Sequence, residues 1–223
     1  MKRLFEVCAG NLESAIEAVR GGATRIELCS ALSLDGLTPS LGMLKTVREI
    51  APHLIIHVLI RPREGNFVYQ EKEVEVMERD ITAAIPYADG IVCGALLPNG
   101  DIDLSTMKRL IQASSGLPVT FHRAFDVCRE PLTALEQIIE LGCHRLLTSG
   151  QQSTAFEGIP LLRRLQEQSA GRLIIMPGSG VNENNARQII QQTGVTEIHG
   201  SATDATGITC HEKVRRICDA ITF

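Results

Sequence analysis

The chain has 223 residues, 44% of them hydrophobic and 22% charged, enough to bury a sizeable core as one large α/β barrel or two small domains. Its 22 Lys and Arg against 26 Asp and Glu give a formal charge of −4, and it has no Trp, two Tyr and six Phe. Neither the basic excess nor the aromatic surface of a nucleic-acid binder is present. The most apolar run, Leu54–Ile60, falls far short of the ~20 residues of a membrane helix. Glu6, Asn11 and Glu13 interrupt what would be the apolar stretch of a signal peptide. The seven Cys are scattered, with no C-x-x-C pair, which argues against a disulfide framework or structural zinc and for a reducing cytoplasm.

Apolar runs of strand length start near Leu4, Arg25, Leu54, Gly90, Pro118, Arg145, Leu173 and Glu197. Each is rich in Ile, Val and Leu and is followed by a segment of helical period. In the first such segment Asn11 caps, Leu12, Ile16 and Val19 share a face, and Gly21-Gly22 ends it. The others run from Leu44 to Ile50, Val74 to Ile85, Leu104 to Ala113, Leu132 to Leu141, Ile159 to Gln168, Asn184 to Gln191 and His211 to Ile221. Gly22-Ala23-Thr24-Arg25-Ile26, Gly142-Cys143-His144-Arg145-Leu146 and Gly194-Val195-Thr196-Glu197-Ile198 repeat one helix-end-to-strand unit. Eight strand–helix alternations without a linker predict an α/β fold, a single (β/α)8 TIM-type barrel domain over 1–223. A doubly wound open sheet is the alternative.

Barrel strands turn one side toward helices, and that side must be apolar. Phe5 and Val7, Ile26 and Leu28, and Ile56, Val58 and Ile60 meet this condition. The opposite alternation sends Glu6, Cys8, Glu27, Cys29, His57, Leu59 and Arg61 into the lumen. Ile198 likewise places His199 and Ser201 inside, and either His122 or Arg123 joins them. Charges in a barrel must be paired or bind a ligand. One reading is a structural ion-pair network of Glu6, Glu27 and Arg61. The other is a site at the carboxyl ends of the strands, where such barrels place their chemistry.

In that second reading Glu6, Glu27, His57 and His122 are candidate catalytic acid/base groups. Thr148-Ser149-Gly150, Gly178-Ser179-Gly180 and Gly200-Ser201 are small-residue loops whose N–H groups suit an anion, and Arg61, Arg63 and Arg123 add donors. The matching units Glu6-Val7-Cys8 and Glu27-Leu28-Cys29 place two thiols on adjacent strands, about 4.8 Å apart, where Cys8 and Cys29 can hold a soft cation such as Cu(I).

These motifs resemble the copper homeostasis protein CutC family. The resemblance is carried by Glu6-Val7-Cys8, Arg25-Ile26-Glu27-Leu28-Cys29 and Gly36-Leu37-Thr38-Pro39-Ser40. It continues through Arg61-Pro62-Arg63-Glu64-Gly65-Asn66-Phe67, Tyr87-Ala88-Asp89-Gly90 and Thr120-Phe121-His122-Arg123-Ala124-Phe125-Asp126. Arg145-Leu146-Leu147-Thr148-Ser149-Gly150, Pro177-Gly178-Ser179-Gly180-Val181 and His199-Gly200-Ser201-Ala202 complete it. It implies a cytoplasmic barrel, a homodimer, and copper binding in copper homeostasis, with no reaction attached. Members of the family often carry a longer segment between the eighth strand and last helix. Here Ala202 runs almost directly into Thr206-Gly207-Ile208-Thr209-Cys210-His211.

Three functions follow from these residues: a Cu(I)-binding protein, an enzyme acting on a small anionic metabolite, phosphorylated or not, and a non-catalytic scaffold.

Overall fold

Burial of alternate side chains builds the barrel. The computed structural model describes residues 3–222; Met1, Lys2 and Phe223, the ends of the expected domain, lie outside them. The strands are β1 (Leu4–Ala9), β2 (Arg25–Leu28), β3 (Ile55–Leu59), β4 (Gly90–Cys93), β5 (Val119–Phe121), β6 (Arg145–Thr148), β7 (Ile174–Pro177) and β8 (Glu197–Gly200). Between and after them come α1 (Leu12–Arg20), α2 (Leu41–Ile50), α3 (Glu71–Ala84), α4 (Leu104–Ala113), α5 (Pro131–Glu140), α6 (Ile159–Ser169), α7 (Ala186–Thr193) and α8 (His211–Ala220). The strands hydrogen-bond in the order β7-β6-β5-β4-β3-β2-β1-β8, every pair parallel. Each neighbours its successor, β8 returns beside β1, and β7 and β8 approach each other, so the barrel is nearly closed. A doubly wound sheet reverses direction at a central strand; this one does not.

Three strands begin one residue later than the apolar runs suggest, at Ile55, Val119 and Ile174. The helices differ more at their starts. α2 begins at Leu41 because Ser40 caps it, accepting from Met43 N at 3.1 Å. α3 begins at Glu71, where the Gln70–Glu73 capping box organises a first turn whose residues are polar and so invisible to an apolar period. α7 begins at Ala186, after Asn185 rather than at Asn184. The glycines of the repeated unit, Gly22, Gly142 and Gly194, all have positive φ, the conformation that ends a helix and turns toward the next strand.

Phe5, Val7, Ile26, Leu28, Ile56, Val58 and Ile60 join Ala15, Ala18, Leu44, Val47 and Met77 in one helix–sheet core. Each buried aliphatic contributes roughly 1.5–3 kcal/mol. Cys8, Cys29, Leu59 and Val92 form a separate apolar cluster inside the barrel. Val119 and Phe121 face the outer core, which settles the β5 alternative: His122 turns inward.

The amino-terminal end of the barrel is closed by charge. Arg25, 2% exposed, donates from Nε to Glu6 Oε2 at 2.5 Å and from Nη2 to Glu197, and Arg145 Nε donates to Glu197 Oε2 at 2.9 Å. An ion-pair network does fill the lumen, but its arginines are Arg25 and Arg145. Arg61 lies near the other end, after β3, too far along its strand to reach Glu6.

Candidate functional site at the carboxyl ends of the strands

A cavity of about 370 Å³ opens at the carboxyl ends of the strands. Cys8, Glu27 and His199 form one wall, Arg61, Phe67, His122 and Arg123 another, and Ser179, Gly180, Gly200 and Ser201 line the rim.

The first wall starts from Glu6, which is wholly buried. Burial alone would raise its pKa, but hydrogen bonding with His199 and His57 and the charge of Arg25 overcome this and hold it well below the usual carboxylate range. Glu6 Oε1 lies 3.0 Å from His199 Nδ1 and Oε2 lies 3.1 Å from His57 Nδ1. Glu6 therefore fixes the His199 ring through Nδ1 and leaves Nε2 for the cavity side. There Cys8 Sγ, a carboxylate oxygen of Glu27 and a ring nitrogen of His199 all lie within 4.8 Å of one another. Cys8 Sγ is 3.6 Å from Glu27 Oε1 and 3.7 Å from Cys29 Sγ, and both thiols are free. Among the described residues Glu27 Oε2 is buried without a hydrogen-bond partner.

Protons sit in this cluster in a definite way. The neighbouring Cys29 thiol, burial and the Glu27 carboxylate push Cys8 well above the ordinary thiol value. Burial raises Glu27, with the charge of His199 opposing. Burial would lower His199, but the charge of Glu27 and hydrogen bonds to Cys8 and Glu6 lift it well above the ordinary imidazole value. His57 packs against Gly90, where a Cβ would come within 2.5 Å of its ring, and turns to Glu6. Of the four acid/base candidates, Glu27 and His122 line the cavity, whereas Glu6 and His57 meet each other beneath it.

The second wall is cationic. Arg61 is 4% exposed, and its Nη groups donate to Leu34 O at 2.8 Å, Gly36 O at 3.0 Å and Gly65 O at 3.0 Å. Thr38 ties the same segment down, accepting from Arg61 N at 2.9 Å. The Arg61 guanidinium also lies over the Phe67 ring, 5.0 Å from its centre. Its fork thus fastens loops rather than opening toward a ligand. Arg63 turns away to Glu73, Nε to Oε1 at 2.5 Å.

His122 Nδ1 accepts from Ala124 N at 3.2 Å, and its ring stands 5.0 Å from Phe67. Burial, then the charges of Arg61 and Arg123, lower its pKa to about 3. Gly94 makes room for this ring: a Cβ there would be 2.6 Å from Nδ1.

The small-residue loops divide. Asp126 accepts from Ser149 N at 3.0 Å, from Gln151 N at 3.3 Å, from the Thr148 hydroxyl and from Arg123 Nε at 2.8 Å. Gly150 N donates to Thr148 Oγ1 at 2.9 Å. A carboxylate of the chain itself therefore engages the donors that sequence assigned to an external anion at Thr148-Ser149-Gly150. Gly178 N donates to Thr148 O at 3.0 Å, and its missing Cβ leaves space for Leu147. Ser179, Gly180, Gly200 and Ser201 do face the cavity.

Sequence reasoning passed over Arg25, Asp126, Gly90 and Gly94. Arg25 was within reach, because the alternation that turns Glu27 inward turns Arg25 inward as well. Asp126 was not, since its role depends on how a 3-10 turn at Arg123–Val127 folds over the β6 loop.

Fold and site together define a (β/α)8 barrel with a thiol–carboxylate–imidazole cluster at the carboxyl ends of its strands. The model of the CutC family matches residues 3–204, and the chain belongs to that family. It is 53% identical over 205 residues to a family protein CutC of Bacteroides thetaiotaomicron, spanning 92% of this chain and 82% of that one. It is 50% identical over 200 residues to the human copper homeostasis protein cutC homolog, 89% of this chain and 73% of the human one. A crystal structure of a CutC protein from Streptococcus agalactiae superposes with a TM-score of 0.86 at 36% identity, covering 89% of this chain and 98% of that one. Thiamine phosphate pyrophosphorylase from Pyrococcus furiosus, at 17% identity and a TM-score of 0.65, shares the fold.

Proposed function

We propose that the first wall of the cavity holds a soft metal ion, Cu(I), in the service of copper homeostasis. The observation that carries this reading is the 3.7 Å between Cys8 Sγ and Cys29 Sγ, beside a His199 ring oriented by Glu6. Two sulfurs bonded to one ion at about 2.3 Å with a tetrahedral angle stand roughly 3.8 Å apart. A carboxylate on the far nitrogen of a metal-ligating histidine is a recurrent arrangement, and it frees the other nitrogen. Cys8 and Cys29 would hold the ion, with His199, which lies with Cys8 and Glu27 within 4.8 Å of one another, on the Cys8 side of it; thiolates are the donors that select Cu(I). The unpartnered Glu27 oxygen is a harder donor, better suited to Zn²⁺.

Loss of the Cys8 and His199 protons accompanies binding, so affinity falls as pH falls. The test is titration of metal-free protein with Cu(I) against a competing chelator, with Zn²⁺ in parallel. One Cu(I) per chain is expected, lost in the Cys8→Ser, Cys29→Ser double variant. Preference for Zn²⁺, or binding that survives the double variant, overturns the reading. The family resemblance extends the proposal to a cytoplasmic homodimer; sedimentation at twice the chain mass of 24.3 kDa supports the dimer and a monomer mass refutes it.

A second reading is an enzyme acting on a small anionic metabolite. It is favoured by cavity size, since 370 Å³ far exceeds the space of one ion and a water occupies only about 30 Å³. Glu27, raised by burial and with one free oxygen, would move the proton. Deuterium exchange into short hydroxy acids and sugar phosphates, abolished by Glu27→Gln, would support it; no exchange in any of them counts against it.

A further inference from the structure

We propose that the wall formed by the ends of β3 and β5 is an oxyanion site, in which the His122 Nε2–H is the central donor and the charges of Arg61 and Arg123 supply the attraction. The proposal deepens the second reading by naming the ligand chemistry and its donors. It requires neither turnover nor metal.

Three observations meet at this wall. The first is an uncompensated buried charge. Arg61 spends its Nη groups on three carbonyls, which satisfy hydrogen bonds without cancelling charge. Among the described residues no carboxylate forms an ion pair with it, and its buried Nε–H has no partner. The contrast with Arg25, held between Glu6 and Glu197, is direct. A buried guanidinium left this way is costly unless a ligand completes it.

The second is a donor with nowhere to donate. Because Nδ1 accepts the Ala124 N–H, the neutral His122 ring carries its proton on Nε2. That nitrogen is buried without an acceptor among the described residues, in a side chain 5% exposed on the cavity wall. Phe67 on one side and Gly94 on another fix the ring, so it cannot swing to find a partner. Each unsatisfied buried polar group destabilises the fold, and a fixed one facing a cavity is what a ligand acceptor would satisfy.

The third lies at the rim. Among the described residues Arg123 gives its Nε to Asp126 and has no other hydrogen-bond partner, and it lines the cavity. Asp126 does not repel an incoming anion strongly, because Arg123 and the β6-loop donors already surround it. The other carboxylates on the lining are Asp35, at the exposed rim, and Glu27, on β2, which is three strands from β5 and pairs with β3 four residues before Arg61, at His57. The ligand these groups recognise is a carboxylate or phosphate group on a small molecule, its oxygen accepting from His122 and its charge matched by the two arginines.

Calorimetry on metal-free protein tests the proposal, with oxalate as the carboxylate probe and inorganic phosphate as the other. At least one is expected to bind saturably at millimolar concentration, and which one does so identifies the group. His122→Phe and Arg123→Met, the latter at a partly exposed position, should each weaken it about tenfold or more, the value of a hydrogen bond to a charged group, with the fold of each variant checked by circular dichroism. His122→Gln, which keeps an N–H donor, should stay within about threefold of the parent. Failure of both probes to bind the parent, or equal binding by His122→Phe, overturns the proposal. Either failure leaves Cu(I) binding at Cys8 and Cys29 untouched, because those ligands are not involved.

Discussion

Two walls of one cavity handle histidine in opposite ways. On the β1–β2–β8 side, His199 stands among Glu6, Glu27 and Cys8 and keeps its proton to unusually high pH. On the β3–β5 side, His122 stands near Arg61 and Arg123 and stays neutral down to about pH 3. Both rings are buried, so desolvation pushes both pKa values down. The neighbouring charges decide the outcome. One wall therefore offers lone pairs and negative charge, which suit a cation, and the other offers N–H groups and positive charge, which suit an anion.

The most damaging way to break this contrast is to remove the support under the first wall. Arg25→Met leaves Glu6 and Glu197 buried beside each other's charge, and stripping one partner from a buried ion pair costs roughly 3–5 kcal/mol. Urea unfolding should show an unfolding free energy lower by that amount, with the midpoint moved down accordingly, or a chain that no longer folds. An unchanged midpoint would mean that Glu6 does not depend on Arg25.

Acid separates the two histidines with opposite signs. An unfolded histidine titrates near 6.5. The folded His122 value lies below that, so its contribution to stability is whole above about pH 6.5 and drains away as pH falls toward 3. The folded His199 value lies above, so its contribution is whole below about 6.5 and fades as pH climbs through the raised value. His122→Gln should thus flatten the loss of stability as pH falls between about 6.5 and 4, and His199→Gln should flatten the loss that sets in as pH rises above about 6.5. Parallel profiles for the two variants would erase the distinction between the walls.

A smaller effect is expected where the second wall meets the β6 loop. Asp126→Asn keeps the shape but removes the charge that Ser149 N, Gln151 N, Thr148 and Arg123 converge on, costing about 1–3 kcal/mol. Amide exchange at Ser149 and Gln151 should speed up while that in β1 does not.

Much of this was legible in the sequence, for a physical reason. Alternation along a strand is binary, so the aliphatic Val7, Ile26 and Ile56 dictate where Glu6, Glu27 and His57 point. The strands and the inward set follow from that rule. What alternation does not give is partnership. It placed Arg61 inside without showing that loop carbonyls would take its fork, and it offered Thr148, Ser149 and Gly150 as an anion cradle without showing that Asp126 reaches them. Those outcomes depend on loops whose paths are set by long-range packing. Gly90 and Gly94 were silent for another reason: their function is the space that their missing side chains leave for His57 and His122.

The division of the cavity into a cation wall and an anion wall is tested most directly by long-range ¹H–¹⁵N correlation of the histidine rings in metal-free protein at mildly acidic pH. The account predicts a neutral His122 with its proton on Nε2 and a His199 protonated on both nitrogens. A His122 that is doubly protonated there, or that carries its single proton on Nδ1, would contradict it.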